Sequence, residues 1–262
     1  KEDTPFPYVL QCERLKIIEE ALVMVKADKL CSLRMNTTFE SFEQKDASVV
    51  ARVINQEGHS EDIHGRYLIS AEGAKSLIRN QLDIEFEGFT YPDRTLNIEV
   101  VYDFKKHGYA DRNYISDPDE WSNLFHWPGP PERWRVHFPT PADADPEELT
   151  KPEFLQSKMK KFMKTNQEFD IRGSNLYTVH QRVAKSFRKG NTLLVGDAAH
   201  VNSPIGGMGM NSGIHDAFNL ADKLIAIYQN EVDDTVLDRY DRQRRTIAVE
   251  HTQAQTIRNK KL

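Results

Sequence analysis

An acidic residue, a proline and several glycines lie close together in the last third of the chain, and together they could bind a polar ligand. Asp197 directly follows Gly196, Pro204 comes next, and a glycine-dense turn then includes Gly207 and Gly209. A carboxylate accepts hydrogen bonds from hydroxyl groups, and bare amide N–H groups at a glycine turn bind anions. These residue types therefore predict an anion- or dipole-binding site.

A strand and a helix must position these residues. Thr192–Val195 has the length and composition of a buried parallel strand. From Met210, apolar residues recur at three- and four-residue spacing, which predicts a helix continuing to about Gln229. The recurring positions are Ile214, Ala217, Phe218, Ala221, Leu224 and Ile225. The N-terminus of such a helix carries bare amides and positive partial charge, which favours a negatively charged ligand.

The glycine spacing does not fit the dinucleotide-binding fingerprint G-x-G-x-x-G. Gly207 and Gly209 fit its first two positions, but Ser212 stands where the third glycine belongs. The turn also lies well beyond the end of the strand rather than directly on it. A Rossmann-type dinucleotide oxidoreductase is therefore disfavoured.

The stretch from Gly196 to Asn211 instead resembles the second flavin-contacting motif of the FAD-dependent aromatic hydroxylases, the para-hydroxybenzoate hydroxylase class of flavoprotein monooxygenases. The resemblance implies that Asp197 contacts the ribityl chain and that Pro204 lies against the flavin ring system. It also implies that the glycine turn and helix start face the pyrimidine end of the flavin. The cofactor-binding residues implied by this motif are Gly196, Asp197, Pro204, Gly207, Gly209, Met210 and Asn211.

The same resemblance implies an activity. In this family FAD is reduced by NADPH or NADH and reacts with dioxygen to form a flavin hydroperoxide, which hydroxylates an electron-rich aromatic ring. The partner implied is thus a small, phenol-like aromatic substrate, and the cofactors are FAD and a nicotinamide nucleotide as reductant. The protein supplies orientation, charge and exclusion of water, while the cofactor carries the reaction.

A second segment, residues 71–79, resembles the other internal motif of this family. Gly73, Ser76 and Arg79 match that motif, whereas Glu72 stands where the family usually has Asp. The resemblance implies a place near the flavin diphosphate and an indirect part in nicotinamide binding. Arg79 is expected to be partly exposed. Gln11 matches a family glutamine or arginine that approaches the flavin side chain, although a surface position is equally open.

No pattern in the sequence identifies a general base, so the catalytic residues are unknown at this stage. The candidates are His126, His137, His180, His200 and Tyr102. Each is weak, because a structural histidine is commoner than a catalytic one.

Composition sets limits on the class of protein. The chain has 262 residues, a formal net charge of −5 and 39% hydrophobic residues, and it shows no basic stripe. Nucleic acid is therefore not expected as a partner. No apolar run approaches the roughly 20 residues of a membrane span. Cys12 and Cys31 have neither metal-ligand nor disulfide spacing, so no metal is expected and a cytoplasmic setting is predicted.

The alternation of elements predicts a mixed α/β fold with two interleaved parts. Residues 1–86 and 182–262 are predicted to form a partial, Rossmann-like FAD-binding domain, with Leu193–Val195 beside the strand Tyr67–Ser70. Residues 87–181, rich in aromatic strand-like runs, are predicted to form an antiparallel-sheet substrate domain with one helix at 152–166.

The family pattern opens with a G-x-G-x-x-G unit, and none precedes Pro5. The chain is therefore expected to be an internal portion of a longer enzyme, or its ordered part. As a portion it is expected to bind FAD poorly or not at all, with any binding favouring the riboflavin half, and to expose surface that allows a homo-oligomer. Two alternatives remain open: a related flavoprotein of another reaction class, such as a halogenase or reductase, and a non-catalytic binding module.

Overall fold

The structure is a computed structural model that describes residues 5–8 and 10–260. The strands of this part of the chain are β1 (Thr38–Lys45), β2 (Ser48–Ile54), β3 (Ser60–Gly65), β4 (Leu68–Ser70), β5 (Phe86–Val101), β6 (Arg112–Ile115), β7 (Ser122–Trp127), β8 (Arg133–Thr140), β9 (Asp170–Ala184), β10 (Arg188–Lys189), β11 (Thr192–Leu194) and β12 (His200–Val201). The helices are α1 (Arg14–Ala27), α2 (Leu77–Gln81), α3 (Pro146–Leu149), α4 (Pro152–Met163), α5 (Met208–Tyr228), α6 (Val236–Thr246) and α7 (Ala254–Lys260). A π-helical stretch, Ile247–Gln253, joins α6 to α7.

The described chain divides into two compact units, and the mixed α/β class predicted from the sequence is confirmed. Unit 1 comprises the described residues up to Leu33 together with Pro92–Thr178. Unit 2 comprises Arg34–Tyr91 and the described residues from Val179 onward. The chain passes between the units within the two long strands β5 and β9.

Unit 1 is an antiparallel sheet with one helix packed on it. Its strands lie in the order β9-β5-β8-β7-β6. One side of the sheet is a closed apolar core, because alternate residues of β5, β7 and β8 point into it and α4 adds Leu155 and Met159. The antiparallel aromatic sheet and the helix near 152–166 are thus found where the sequence predicts them.

Unit 2 contains two small three-stranded sheets, ordered β1-β2-β3 and β10-β11-β4. In the second, β11 pairs in parallel with β4, with Leu193 opposite Ile69. This confirms the predicted neighbourhood of the two strands. Leu193 and Leu194 are fully buried among the apolar side chains of α5 and α6, so β11 lies at the centre of the core of unit 2.

The apolar spacing on α5 does not mark its buried side. The helix begins at Met208 and ends at Tyr228, close to the predicted bounds. The side that faces the core carries Ser212, Asp216, Leu220 and Ile227. Ile214 and Phe218 belong to the recurring apolar positions, yet they are 37% and 70% exposed. Two polar residues turn inward instead because buried partners on the following helical segment satisfy them, as described below.

The observed units differ from the predicted domain boundaries at the start of the chain. The residues around α1 group with unit 1, because Gln11 donates its amide to the carbonyl of His126 at 3.0 Å and Glu13 lies 3.9 Å from Arg133. No side chain of α1 is buried. The assignment of one domain to FAD and the other to substrate stays a prediction.

Candidate functional site

The turn that carries Asp197 follows β11 directly. Val195 donates its amide to the carbonyl of Ser70 on β4 at 3.0 Å, which extends the parallel pairing to the end of the strand. Gly196 has φ of +57°, a left-handed conformation that glycine adopts without strain. The backbone therefore turns sharply at Gly196 and leaves Asp197 exposed. The Asp197 side chain makes no hydrogen bond or ion pair with any residue that the structure describes.

The glycine turn ends in the N-terminus of α5. Gly207 is the N-cap residue, is left-handed at φ +68°, and offers no side chain to the first turn. Asn211 donates its side-chain amide to the carbonyl of Gly207 at 2.8 Å, so this amide is held by the helix itself. Pro204 and Met210 are exposed. The free amides of the first turn of a helix of 21 residues form a site of positive partial charge.

A buried ionic cluster lies behind the turn. Asp216 of α5 accepts hydrogen bonds from the backbone amide of Gly196 at 3.0 Å, from His200 Nε2 at 2.7 Å and from Arg244 Nε at 2.6 Å. All three side chains are buried. Burial alone would raise the pKa of Asp216, but the hydrogen bond from His200 and the charge of Arg244 lower it. Arg244 Nη2 also reaches the carbonyl of Ser212 at 3.3 Å.

The sequence patterns did not predict this cluster. Asp216 falls on α5 between two of the recurring apolar positions, so the apolar spacing gave it no role. Arg244 belongs to the basic run Arg242–Arg245, a pattern that predicts a solvent-exposed helix face. The available signal was Gly213, three residues before Asp216, because a helical glycine permits close approach of another backbone. A Cβ on Gly213 would lie 3.3 Å from the Cα of Gly196.

Glu72 has a clear structural role in the second motif. Its carboxylate accepts the hydroxyls of Ser70 at 2.9 Å and Ser76 at 2.7 Å, and the amides of Leu77 at 3.3 Å and Ile78 at 3.1 Å. Glu72 thus caps the N-terminus of α2, with the longer side chain reaching donors that lie up to six residues ahead. Ser76 is fully buried in this arrangement.

The prediction that Arg79 is partly exposed is wrong. Arg79 is 4% exposed, and its guanidinium donates to the carbonyl of Ala198 at 3.0 Å and to that of Ala74 at 2.8 Å. It also lies 3.9 Å from the ring centroid of Phe86. Burial lowers the pKa of Arg79. Nη1 and Nη2 make these two bonds, whereas Nε is buried and has no partner among the described residues. Gly73 forms a left-handed turn at φ +88° before α2.

The five candidate bases have different surroundings. His200 belongs to the buried cluster, and His126 is buried between Asp111 at 2.9 Å and Glu132 at 3.1 Å. His180 is exposed, with Nδ1 2.9 Å from the hydroxyl of Thr90, and Tyr102 shares a hydrogen bond of 2.7 Å with His107. Only His137 has an unpartnered buried nitrogen, Nδ1, among the described atoms of these five.

His137 lies on the side of the unit 1 sheet that faces away from the core of that unit. Asn97, His137 and Asn123 stand opposite one another on β5, β8 and β7. Asn97 Oδ1 is buried and without a partner among the described residues. Burial, together with the charge of Arg135, lowers the pKa of His137 to about 4, so its imidazole is neutral near pH 7.

Comparison with known proteins decides the family. The sequence model described as FAD binding domain matches residues 3–255. The chain belongs to this family of FAD-binding domains.

Relatives of this FAD-binding domain include named monooxygenases. Para-nitrophenol 4-monooxygenase of Pseudomonas sp. (strain WBC-3) is 31% identical over 96% of this chain and 62% of that protein. The 3-(3-hydroxy-phenyl)propionate/3-hydroxycinnamic acid hydroxylase of Mycolicibacterium smegmatis is 33% identical over 81% of this chain and 36% of that protein. The crystal structure of p-nitrophenol 4-monooxygenase PnpA from Pseudomonas putida DLL-E4 matches with a TM-score of 0.91 and 30% identity, over 98% of this chain and 65% of that one. This FAD-binding domain thus spans less than two thirds of each of these relatives.

The residues of this FAD-binding domain fit the flavin cofactor that the family name implies. Asn202 Oδ1 and Gln181 Nε2 are buried without partners among the described residues, next to the loop that leads to Pro204. A Cβ on Gly209 would lie in van der Waals contact with Asn202 Oδ1 at 3.8 Å, so the start of α5 passes directly beside this oxygen. An unsatisfied acceptor, an unsatisfied donor and the unpaired Asp197 together suit a ligand with hydroxyl and amide groups.

Two other sequence predictions concern ligands and membranes. Within residues 5–8 and 10–260, no cluster of His, Cys, Asp and Glu could hold a metal ion. Over the same part of the chain, every helix is either too short or too polar to cross a lipid bilayer.

Proposed function

We propose that this FAD-binding domain belongs to a monooxygenase that hydroxylates a phenol-like aromatic substrate, using NADPH or NADH and dioxygen. The observation that carries the proposal is the exposed, unpaired Asp197 carboxylate on the turn after β11, in the same unit as the bare N-terminus of α5. The names of the relatives support the reaction type, since those proteins are a para-nitrophenol monooxygenase and a hydroxyphenylpropionate hydroxylase.

The residues of unit 2 would hold and orient the cofactor. When bound, FAD supplies the redox chemistry that moves electrons from the nicotinamide nucleotide to dioxygen. Asp197 accepts a ribityl hydroxyl, and Pro204 offers a rigid wall without an N–H donor. The amides of Gly209 to Asn211 stabilise negative charge through the helix dipole. Gly73 and Ser76 keep their predicted places near the cofactor as part of this proposal, whereas Arg79 acts through the turn that carries Asp197. The approach of Gln11 to the flavin side chain stays a prediction.

The substrate would be recognised on the polar side of the unit 1 sheet. His137 Nδ1 and Asn97 Oδ1 are buried and unpartnered among the described atoms, and leaving both unsatisfied costs roughly 1–3 kcal/mol each. A phenol hydroxyl both donates and accepts, so it can satisfy the two atoms together. The ring of Phe125, whose centroid is 5.4 Å from that of His137, adds an apolar neighbour for an aromatic substrate.

The decisive experiment measures substrate-dependent turnover of the full protein. The protein is purified with FAD, and NADPH or NADH oxidation is followed with para-nitrophenol or 3-(3-hydroxyphenyl)propionate, with nitrobenzene as the ring that lacks a hydroxyl. We expect oxidation to rise with the phenols only, with one ¹⁸O atom from ¹⁸O₂ in the product. Reduction without oxygen insertion would favour a reductase, halide-dependent turnover a halogenase, and absence of bound flavin a binding module.

The setting and assembly are also proposed. Cys12 and Cys31 are both exposed free thiols, which supports the reducing cytoplasm as the compartment. Exposed apolar side chains along α5 support self-association into a homo-oligomer, which sedimentation at several protein concentrations would detect. The net charge of −5 argues against a nucleic-acid partner.

A further inference from the structure

Asp197 depends on its neighbours for its direction. Its side chain has no partner among the described residues, so no contact of its own fixes the carboxylate. The backbone on either side is fixed instead. The amide of Gly196 is bound by Asp216 at 3.0 Å, and the carbonyl of Ala198 is bound by Arg79 at 3.0 Å. The residues before and after Asp197 are therefore each held by a buried charged side chain.

Asp216 holds its side of the turn rigidly. The carboxylate is fully buried, and His200 at 2.7 Å and Arg244 at 2.6 Å fix both of its oxygens. Gly213 on the same helix allows α5 to approach Gly196 at backbone distance. A rotation of the Gly196 peptide would break the bond to Asp216 and leave a buried carboxylate oxygen with one donor fewer.

Arg79 holds the other side. Its guanidinium joins the carbonyl of Ala198 to that of Ala74, next to Gly73 in the loop before α2. The planar guanidinium offers fixed donor directions, which a lysine ammonium does not. The Ala198 carbonyl is thereby anchored to a different element from the one that anchors Gly196.

Fold stability alone does not account for two buried charges at one turn. Removing charges from water costs several kcal/mol per ion, and a buried ion pair is often no more stabilising than apolar side chains of similar volume. Charged hydrogen bonds do impose direction, because each donor and acceptor must align. The two buried charged residues therefore serve to orient the turn more than to stabilise the fold.

We infer that Asp216 and Arg79 are positioning residues that act on FAD through Asp197, by holding the residues on both sides of it, Gly196 through its amide and Ala198 through its carbonyl. The inference rests on the proposed function in one respect, that Asp197 contacts FAD. Neither residue needs to touch the cofactor. The sequence resemblance placed Arg79 at the cofactor and gave Asp216 no role, so this assignment differs from it at both residues.

A double-mutant cycle on FAD affinity tests the inference in the full protein. FAD dissociation constants are measured by flavin fluorescence for the wild type, Asp197→Ala, Asp216→Asn and the double variant. We expect each single variant to weaken FAD binding about tenfold or more, the size of one charged hydrogen bond. The double variant should bind as weakly as Asp197→Ala alone, because Asp216 acts only through Asp197.

Asp241→Asn is the matched control. Asp241 is also an acid of unit 2 that binds a backbone amide, that of Phe187 at 2.8 Å, but it does not touch the Gly196–Ala198 turn. We expect Asp241→Asn to lower the thermal midpoint and leave FAD affinity unchanged. Arg79→Lys keeps the positive charge but replaces the planar guanidinium, which binds two carbonyls, by a single ammonium. A second cycle combines Arg79→Lys with Asp197→Ala, and its FAD dissociation constants test the inference if Asp216→Asn does not fold.

The outcomes separate the inference from the proposed function. Losses that multiply in the double variant, to about a hundredfold when each is tenfold, would overturn the inference, and so would normal FAD affinity in Asp216→Asn. In both cases the FAD contact of Asp197 stands. Normal affinity in Asp197→Ala would remove that contact, and with it the inference. Absence of FAD binding by the full wild-type protein, as distinct from this chain alone, would overturn the proposed function itself.

Discussion

Replacement of Glu72 by Ala should destabilise unit 2 measurably. The carboxylate accepts hydrogen bonds from two hydroxyls and two amides. The hydroxyls of Ser70 and Ser76 lie 2.9 Å apart, so once the carboxylate is gone one of them can donate to the other. The loss therefore falls mainly on the amides of Leu77 and Ile78, which bond at 3.3 and 3.1 Å. Removing a helix cap costs about 0.5–2 kcal/mol. Glu72 is exposed, so water can replace part of these bonds, and we expect the loss to stay within this range of about 0.5–2 kcal/mol.

The assay combines global and local readouts. Urea unfolding followed by circular dichroism gives the free energy of unfolding, and hydrogen exchange reports the amides of Leu77 and Ile78 directly. Glu72→Gln keeps one acceptor oxygen and should lose about half as much. Glu72→Asp places the carboxylate about one methylene, roughly 1.5 Å, further from the same donors and should fall between Gln and Ala.

Glu57→Ala is the control for the loss of a glutamate from unit 2. Glu57 is exposed in the turn between β2 and β3, and its side chain has no partner within the described residues. It should change stability by less than about 0.5 kcal/mol. If Glu72→Ala costs no more than this control, and exchange at Leu77 and Ile78 does not accelerate, the capping role is refuted.

Two further predictions follow from backbone geometry and from charge. Gly88 has φ of +134°, and a Cβ there would lie 2.0 Å from the carbonyl oxygen of Gln181. Gly88→Ala should therefore lower the free energy of unfolding by more than about 3 kcal/mol. Gly173→Ala is the control, since a Cβ there meets no atom within 4 Å, and thermal unfolding of both variants should show a large loss only for Gly88→Ala. The pKa of His137 is lowered to about 4, so the unfolded chain binds the proton first as pH falls from about 6.5, and stability is lost between about pH 6.5 and 4. His137→Gln should flatten that part of the stability–pH curve measured by urea midpoints, and an unchanged slope would show that His137 is not responsible.

The sequence predicted the elements of the site better than the contacts between them. Local patterns sufficed for β11 and α5, because an apolar run and a helical spacing are properties of neighbouring residues. The neighbourhood of β11 and β4 was also predictable, because the chain changes from strand–helix alternation to aromatic strands and then returns to the first pattern. The residues quoted for the flavin motif lie on two turns, the one after β11 and the glycine turn that begins at Pro204, and on the N-terminus of α5.

What the sequence could not show was the use of charged residues in the interior. Arg79 and Asp216 are charged, and charged residues are mostly exposed. Arg79 was therefore predicted to be partly exposed, and Asp216 received no predicted role. Their burial depends on partners far along the chain, Ala198 for Arg79 and Arg244 for Asp216. Such contacts are determined by the tertiary structure, and neither the spacing nor the type of the residues predicts them.

Unit 2 is formed by two segments that are separated in sequence, and this affects its folding during synthesis on the ribosome. Its strand β4 ends at Ser70, whereas its parallel partner β11 begins only at Thr192. At about 5–20 residues per second, β4 leaves the ribosome several seconds before β11 exists. During that interval the nascent chain presents an unpaired parallel strand, the kind of edge that invites wrong pairing.

Unit 1 can fold during this interval, before β11 has been synthesised. All of unit 1 lies before Val179, so it can close while the early part of unit 2 waits. Stalled ribosomes that expose the chain up to about residue 185 should then carry a protease-resistant unit 1 and a protease-sensitive segment around β4. Protection of β4 at that length would show that it finds another partner first. The Gly196–Ala198 turn follows β11 in the chain, so it is then among the last parts of the molecule to fold.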